Sequence, residues 1–143
     1  MANKRKDEKA LMEMWLDKLK EEKKLIVVEG IKDKRALSMF GLDNIYQLER
    51  KPLYMVAEDI AFKAKEVILF VDLDSEGKKI FGKLNSWLQE RGVKVDNSFR
   101  EFLFRNTGLR QIEGMPSYIA NLQIREHNGK NREGKMGVHQ KIK

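Results

Sequence analysis

Two short apolar runs, each stopped by acid, constrain what this chain can fold into more than any other feature. Leu25-Ile26-Val27-Val28 runs into Glu29-Gly30, and Val67-Ile68-Leu69-Phe70-Val71 runs into Asp72-Leu73-Asp74-Ser75-Glu76-Gly77. Compact apolar runs rich in β-branched side chains read as strands buried on both faces. The segments around them have helical period. Asp7 to Lys24 carries Leu11, Met12, Trp15, Leu16 and Leu19 on one face. About Asp33 to Phe40 turns Leu37 and Phe40 inward and stops at Gly41. Tyr54 to Lys65 follows Pro52 with Val56, Ile60 and Ala61 apolar, and Ile80, Phe81, Leu84, Trp87 and Leu88 form a stripe closed by Gly92. Strands alternating with helices at this spacing imply an α/β fold with a parallel sheet and right-handed crossovers.

Less marked segments complete the outline. Asn44 to Leu48 suits a short strand, Phe99 to Phe104 a further strand, and residues 117–124 a last short helix. Arg125 to Lys143 holds three glycines and no apolar period, which suits a loop or disorder. The expected division is an N-terminal helix packed on the domain over 1–24, a single domain over 25–124, and a basic flexible tail over 125–143.

Composition removes several chemistries. The 143 residues include no cysteine and two histidines, His127 and His139. A disulfide scaffold, an iron–sulfur cluster, a thiolate zinc site and a cysteine nucleophile are therefore excluded, and any metal sits on oxygen ligands. No apolar run approaches a membrane span, and the N-terminus lacks the apolar stretch of a signal peptide, so a soluble, cytoplasmic protein is expected. Of the net charge of +7, the 8 Lys/Arg against 6 Asp/Glu in residues 1–24 contribute +2, and the 6 against 2 in residues 125–143 contribute +4. A nearly neutral body with basic ends suits a polyanion partner or, equally, a solvated tail.

In parallel sheets the loops at the carboxyl ends of the strands share one edge, where ligands bind. Glu29 and Asp72 each follow a buried strand, so both fall at that edge. Asp72 and Asp74, two residues apart in an extended segment, point to the same side. Three carboxylates in one pocket repel one another unless a cation joins them, and the cation this donor set suits is magnesium or manganese. Asp74 alone also suits an N-cap for the helix that begins near Ser75, and Glu29 a cap for its own helix; Asp72 lies too far upstream to cap either. An EF-hand loop fails because Lys83 stands where a bidentate glutamate is needed. A P-loop fails because Gly77-Lys78-Lys79 lacks the first glycine and the hydroxyl. An aspartyl-phosphate phosphatase also sets Asp-x-Asp behind a strand, and remains a third option.

Val27-Val28-Glu29-Gly30-Ile31-Lys32-Asp33-Lys34-Arg35-Ala36-Leu37, followed about forty residues on by Ile68 to Gly77, resembles the Toprim domain of topoisomerases, bacterial-type primases and ribosomal-RNA-maturing nucleases. The resemblance runs from about Leu25 to Leu88 and extends to Tyr118 through the segment Thr107 to Gly114. It implies a compact Toprim/Rossmann-like, mostly parallel sheet of about four strands between helices. It also implies Asp72 and Asp74 as the metal pair for Mg2+ (Mn2+ as substitute) and Glu29 as general acid/base or further ligand. A topoisomerase or a primase needs further domains, so the Glu-Gly-x-x-Asp opening points to the RNA-maturing nuclease branch.

Lys32, Lys78, Lys79, Arg105 and Arg110 are candidate phosphate contacts, since cations at a helix start oppose its dipole unless something anionic is bound. Trp15 and Trp87 lie on apolar stripes and read as core. The function expected is an Mg2+-dependent phosphodiesterase acting on RNA or DNA. The alternative is a non-catalytic, metal-assisted nucleic-acid-binding module of a larger processing assembly.

Overall fold

Period-2 and period-3.6 patterns resolve into one sheet between two helical layers. The structure, a computed structural model, describes residues 4–134, with side chains described from Asp7 to Ile124. In chain order the elements are α1 (Lys4–Glu22), β1 (Leu25–Val28), α2 (Ile31–Ser38), β2 (Ile45–Gln47), α3 (Leu53–Lys63), β3 (Glu66–Leu69), α4 (Ser75–Glu90), β4 (Lys94–Asp96), α5 (Ser98–Asn106), a 3-10 turn at Ile112–Gly114, and α6 (Met115–Gly134). The four strands are all parallel, in the order β2-β1-β3-β4, with Ile26 facing Ile45 on one side and Ile68 on the other. From β1 the chain builds outward to β2, then returns across β1 to β3 and β4. The strand order therefore reverses between β1 and β3, and the crevice at the carboxyl ends of these two strands is where such sheets take ligands.

Alternation along the strands makes two cores. Ile26, Val28, Ile68 and Phe70 face α1, α2, α5 and α6, against Leu19, Leu37, Leu103 and Leu122. Val27, Val67 and Leu69 face α3 and α4, against Val56, Ile60, Leu84 and Leu88. Trp15 locks α1 onto the first core. Its ring lies 5.8 Å from Phe70 and stacks on Phe102 at 6.3 Å, and its indole N–H donates to the Phe99 carbonyl at 3.2 Å. At the amino edge of the sheet, Lys24 Nζ joins Glu22, Glu66 and Asp96 at 2.6, 3.0 and 3.1 Å. Among the described residues no helix is long and apolar enough to cross a membrane.

Two expectations are corrected. Phe99 to Phe104 is helix α5, not a strand; its buried residues Phe99, Arg100 and Leu103 fall on one helical face. The fourth strand is β4, just upstream, whose only apolar residue is Val95. The last helix extends well beyond 117–124, from Met115 to Gly134. Arg125, Glu126, Lys130, Arg132 and Glu133 are good helix formers, and they continue the helix without any apolar period to announce it. Of the expected flexible tail, 125–134 is thus helical, and residues 135–143 lie outside the described residues.

Candidate functional site

The reversal of strand order brings Glu29 and Asp72 together. Both strands end in the same layer, and β3 continues past its last ladder residue through Phe70, whose N–H donates to the Val27 carbonyl at 2.8 Å. The next residues reach the edge, where Glu29 Oε2 accepts the backbone N–H of Asp72 at 2.9 Å. Asp72 is 8% exposed, and its Oδ1 accepts the Ile112 N–H at 2.8 Å. Asp74 is the N-cap of α4, its Oδ1 accepting from Gly77 at 2.8 Å. The capping role considered for Asp74 is therefore real, whereas α2 is capped by Gly30. Asp33, in the first turn of α2, accepts the Gly30 N–H at 3.2 Å.

Each carboxylate of the expected set has committed one oxygen to a backbone amide; Glu29 and Asp72 keep the other for a cation, while Asp74 Oδ2 accepts a long bond from Gln111 Nε2 at 3.5 Å. Burial is the main cause that pushes the Glu29 carboxyl up to about 7, against the Asp72 amide bond that lowers it, with the charges of Asp72, Asp33 and Asp74 adding to the rise. Asp33 is pushed up to about 6, again mainly by burial and then by Asp72. Burial likewise raises Asp72, opposed by the Ile112 amide. Among the described residues none of the ion pairs involves Glu29, Asp33, Asp72 or Asp74. This donor set of unpaired oxygens fits a hard divalent cation. As it stands the arrangement does not enclose one: among the described residues no three acidic or histidine side chains are grouped to hold a metal ion.

A cleft of about 770 Å³ opens over this edge, lined among others by Glu29, Asp33, Asp72, Glu76 and Glu113 and by Lys32, Arg50 and Lys51. Of the five expected phosphate contacts, only Lys32 lines it. Lys78, Lys79, Arg105 and Arg110 are exposed elsewhere, and the carbonyl of Arg110, not its side chain, serves the site by accepting the Leu73 N–H at 2.8 Å.

Three contributors escape the sequence reading. Arg100 is 8% exposed and donates through Nε to the Val71 carbonyl at 2.8 Å and through a terminal nitrogen to the Asp72 carbonyl at 3.0 Å, its guanidinium 4.4 Å from the Phe81 ring centre. Asp33 and Glu113 join the acidic wall. Asp33 had a signal, the fifth position of Glu-Gly-x-x-Asp. Arg100 had none, because it sits among phenylalanines that suggest a strand.

Fold and site define an α/β domain with an acidic cleft at the point where its strand order reverses. The chain belongs to the Toprim domain family, whose model matches residues 23–97. It is 34% identical over 106 residues to a UPF0292 protein of Methanocaldococcus jannaschii, covering 71% of this chain and 83% of that protein. With a UPF0292 protein of Pyrococcus abyssi the identity is 36% over 116 residues, 80% of this chain and 86% of the relative. A solved structure of a protein from Aquifex aeolicus superposes with a TM-score of 0.65 at 36% identity, over 71% of this chain and 94% of that one. Membership of the family carries a general association with nucleic acids and with Mg2+.

Proposed function

We propose that this chain is a cytoplasmic Mg2+-dependent phosphodiesterase that cuts RNA or DNA, with Glu29, Asp72 and Asp74 as its working residues. One observation carries the reading: the carboxylate behind β1 bonds to the first aspartate behind β3, at 2.9 Å. Asp72 and Glu29 would hold magnesium or manganese through their uncommitted oxygens, with Asp74 joining through the oxygen that Gln111 meets only at 3.5 Å, and bound there the ion would neutralise charge on the phosphoryl oxygens. Glu29, half-buried and held by the Asp72 amide, is oriented to take a proton from an attacking water or return one to the leaving oxygen. Arg100 keeps the Asp72 backbone in register by holding the two carbonyls on which that turn hangs.

The test is cleavage of structured RNA and of single-stranded DNA with magnesium or manganese. Glu29→Gln and Asp72→Asn, with circular dichroism unchanged, should each lower the rate about a hundredfold or more. Equal cutting by both variants and the parent removes the proposal. The second reading, a binding module without turnover, draws support from the way Asp72 and Asp74 each spend an oxygen on the backbone. Retained binding by both variants, with no cutting by any form, favours it.

A further inference from the structure

The turn after β2 is the most costly piece of backbone beside the cleft. Glu49 and Arg50 have φ of 55° and 64°, successive left-handed residues at positions where glycine or asparagine is the ordinary choice. The turn closes with Lys51 N–H on the Leu48 carbonyl at 3.1 Å. It is held from one side by an extension of the β1–β2 ladder, Leu48 N–H on the Val28 carbonyl at 3.0 Å and Glu49 N–H on the carbonyl of Glu29 itself at 3.4 Å. The strained backbone is therefore tied to the residue that meets Asp72. Strain of this kind persists where the surroundings over-determine it, and it concentrates at ligand sites.

Two of its side chains, Arg50 and Lys51, are basic, while Glu49 accepts from Gln47 Nε2 at 2.6 Å. Arg50 and Lys51 line the same cleft as Glu29, Asp33 and Asp72, yet they make no ion pair with these acids. Lys51 rests 5.0 Å from the ring centre of Tyr46. Among the described residues Arg50 has neither an ion pair nor a side-chain hydrogen bond, although its backbone conformation would be relieved by glycine. A cleft with an acidic inner wall and a basic rim suits a ligand that brings both a divalent cation and its own negative charge, as a phosphodiester does.

We propose that the Leu48–Lys51 turn is a phosphate clamp, in which Arg50 and Lys51 grip backbone phosphates of a nucleic-acid strand laid across the cleft from Glu29 and Asp72. This rests on the proposed function and narrows its interface from the exposed basic residues at large to one turn. Arg50 and Lys51 would each neutralise one phosphate by positive charge.

The experiment measures binding of a short fluorescein-labelled single-stranded RNA, and of the DNA of the same sequence, to the full chain at several salt concentrations. Arg50→Gly fits the left-handed backbone, so its thermal midpoint should stay or rise while affinity falls about tenfold. The slope of log affinity against log salt should become shallower by about 0.7, the share of one neutralised phosphate on a single strand. Arg50→Lys, which keeps the charge, should retain most of the affinity, and Lys94→Gln at the opposite edge should bind as the parent does. If the parent binds and Arg50→Gly matches it in affinity and salt slope, the clamp is overturned and the proposed function stands. If Arg50→Lys binds as weakly as Arg50→Gly, the charge is not what matters and the clamp is again overturned. If the parent binds neither strand, both readings fall together.

Discussion

Gly77 is the residue at which the acidic motif and the fold become a single constraint. A Cβ there would collide with the carbonyl group of Asp72 and lie 3.1 Å from Asp74 Oδ1. The glycine of Asp-x-Asp-x-x-Gly thus lets the first turn of α4 close over the backbone that carries the acids. Gly77→Ala should cost about 1–3 kcal/mol in urea denaturation, the range for forced overpacking; an unchanged midpoint would mean that the turn adjusts freely. Arg100 is the second residue of this kind. Arg100→Met leaves the Val71 and Asp72 carbonyls without their donor, about 1–3 kcal/mol for each group left buried and unpaired. Arg100→Lys should recover only part of that, because one ammonium cannot reproduce two bonds from a planar fork. Full recovery by lysine would show that the fork geometry is irrelevant.

Elements differ in how openly the sequence declares them. β1, β3 and α4 are legible because each repeats its apolar pattern long enough for the period to stand out. β4, with three residues and one apolar side chain, has no period to read, and the phenylalanines of its neighbour α5 suggest a strand and mask the helical set Phe99, Arg100 and Leu103. The placing of Glu29 and Asp72 at one edge is legible from the parallel strand direction expected of alternating strands and helices; their contact follows from the adjacency of β1 and β3. The part played by the segment after α5 is not legible. Its backbone atoms do the work, the Ile112 N–H and the Arg110 carbonyl, and any residue type offers those. The capping by Asp74 is legible as one of its two readings, because the helix opens directly behind it at Ser75. The docking of α1, by contrast, depends on one side chain. Trp15→Ala removes three ring contacts and a buried hydrogen bond, and should lower stability by about 3–5 kcal/mol by chemical denaturation. A loss below about 1 kcal/mol would mean that α1 holds without it.

For the whole molecule, the acidic edge sets an unusual pH dependence. The folded chain holds the Glu29 proton up to about 7 where the free side chain lets go near 4.5, and the Asp33 proton up to about 6. In that window the native state binds more protons than the unfolded one, so stability falls as pH rises from about 4.5 to about 7. Asp59 and Asp96 are shifted downward, and their contribution is lost only in more acid solution, outside this window. Without divalent ions the thermal midpoint should therefore drop toward neutrality. Added Mg2+ or Mn2+ should restore it more at neutral pH than at the acid end, and less in Asp72→Asn; a flat profile would contradict the raised carboxyls. The knot of Lys24 with Glu22, Glu66 and Asp96 stands on the far side of the sheet from all of this. The ion pairs of Lys24 share no residue with the lining of the cleft, so they can be rebuilt without touching the acids at the other end of the sheet.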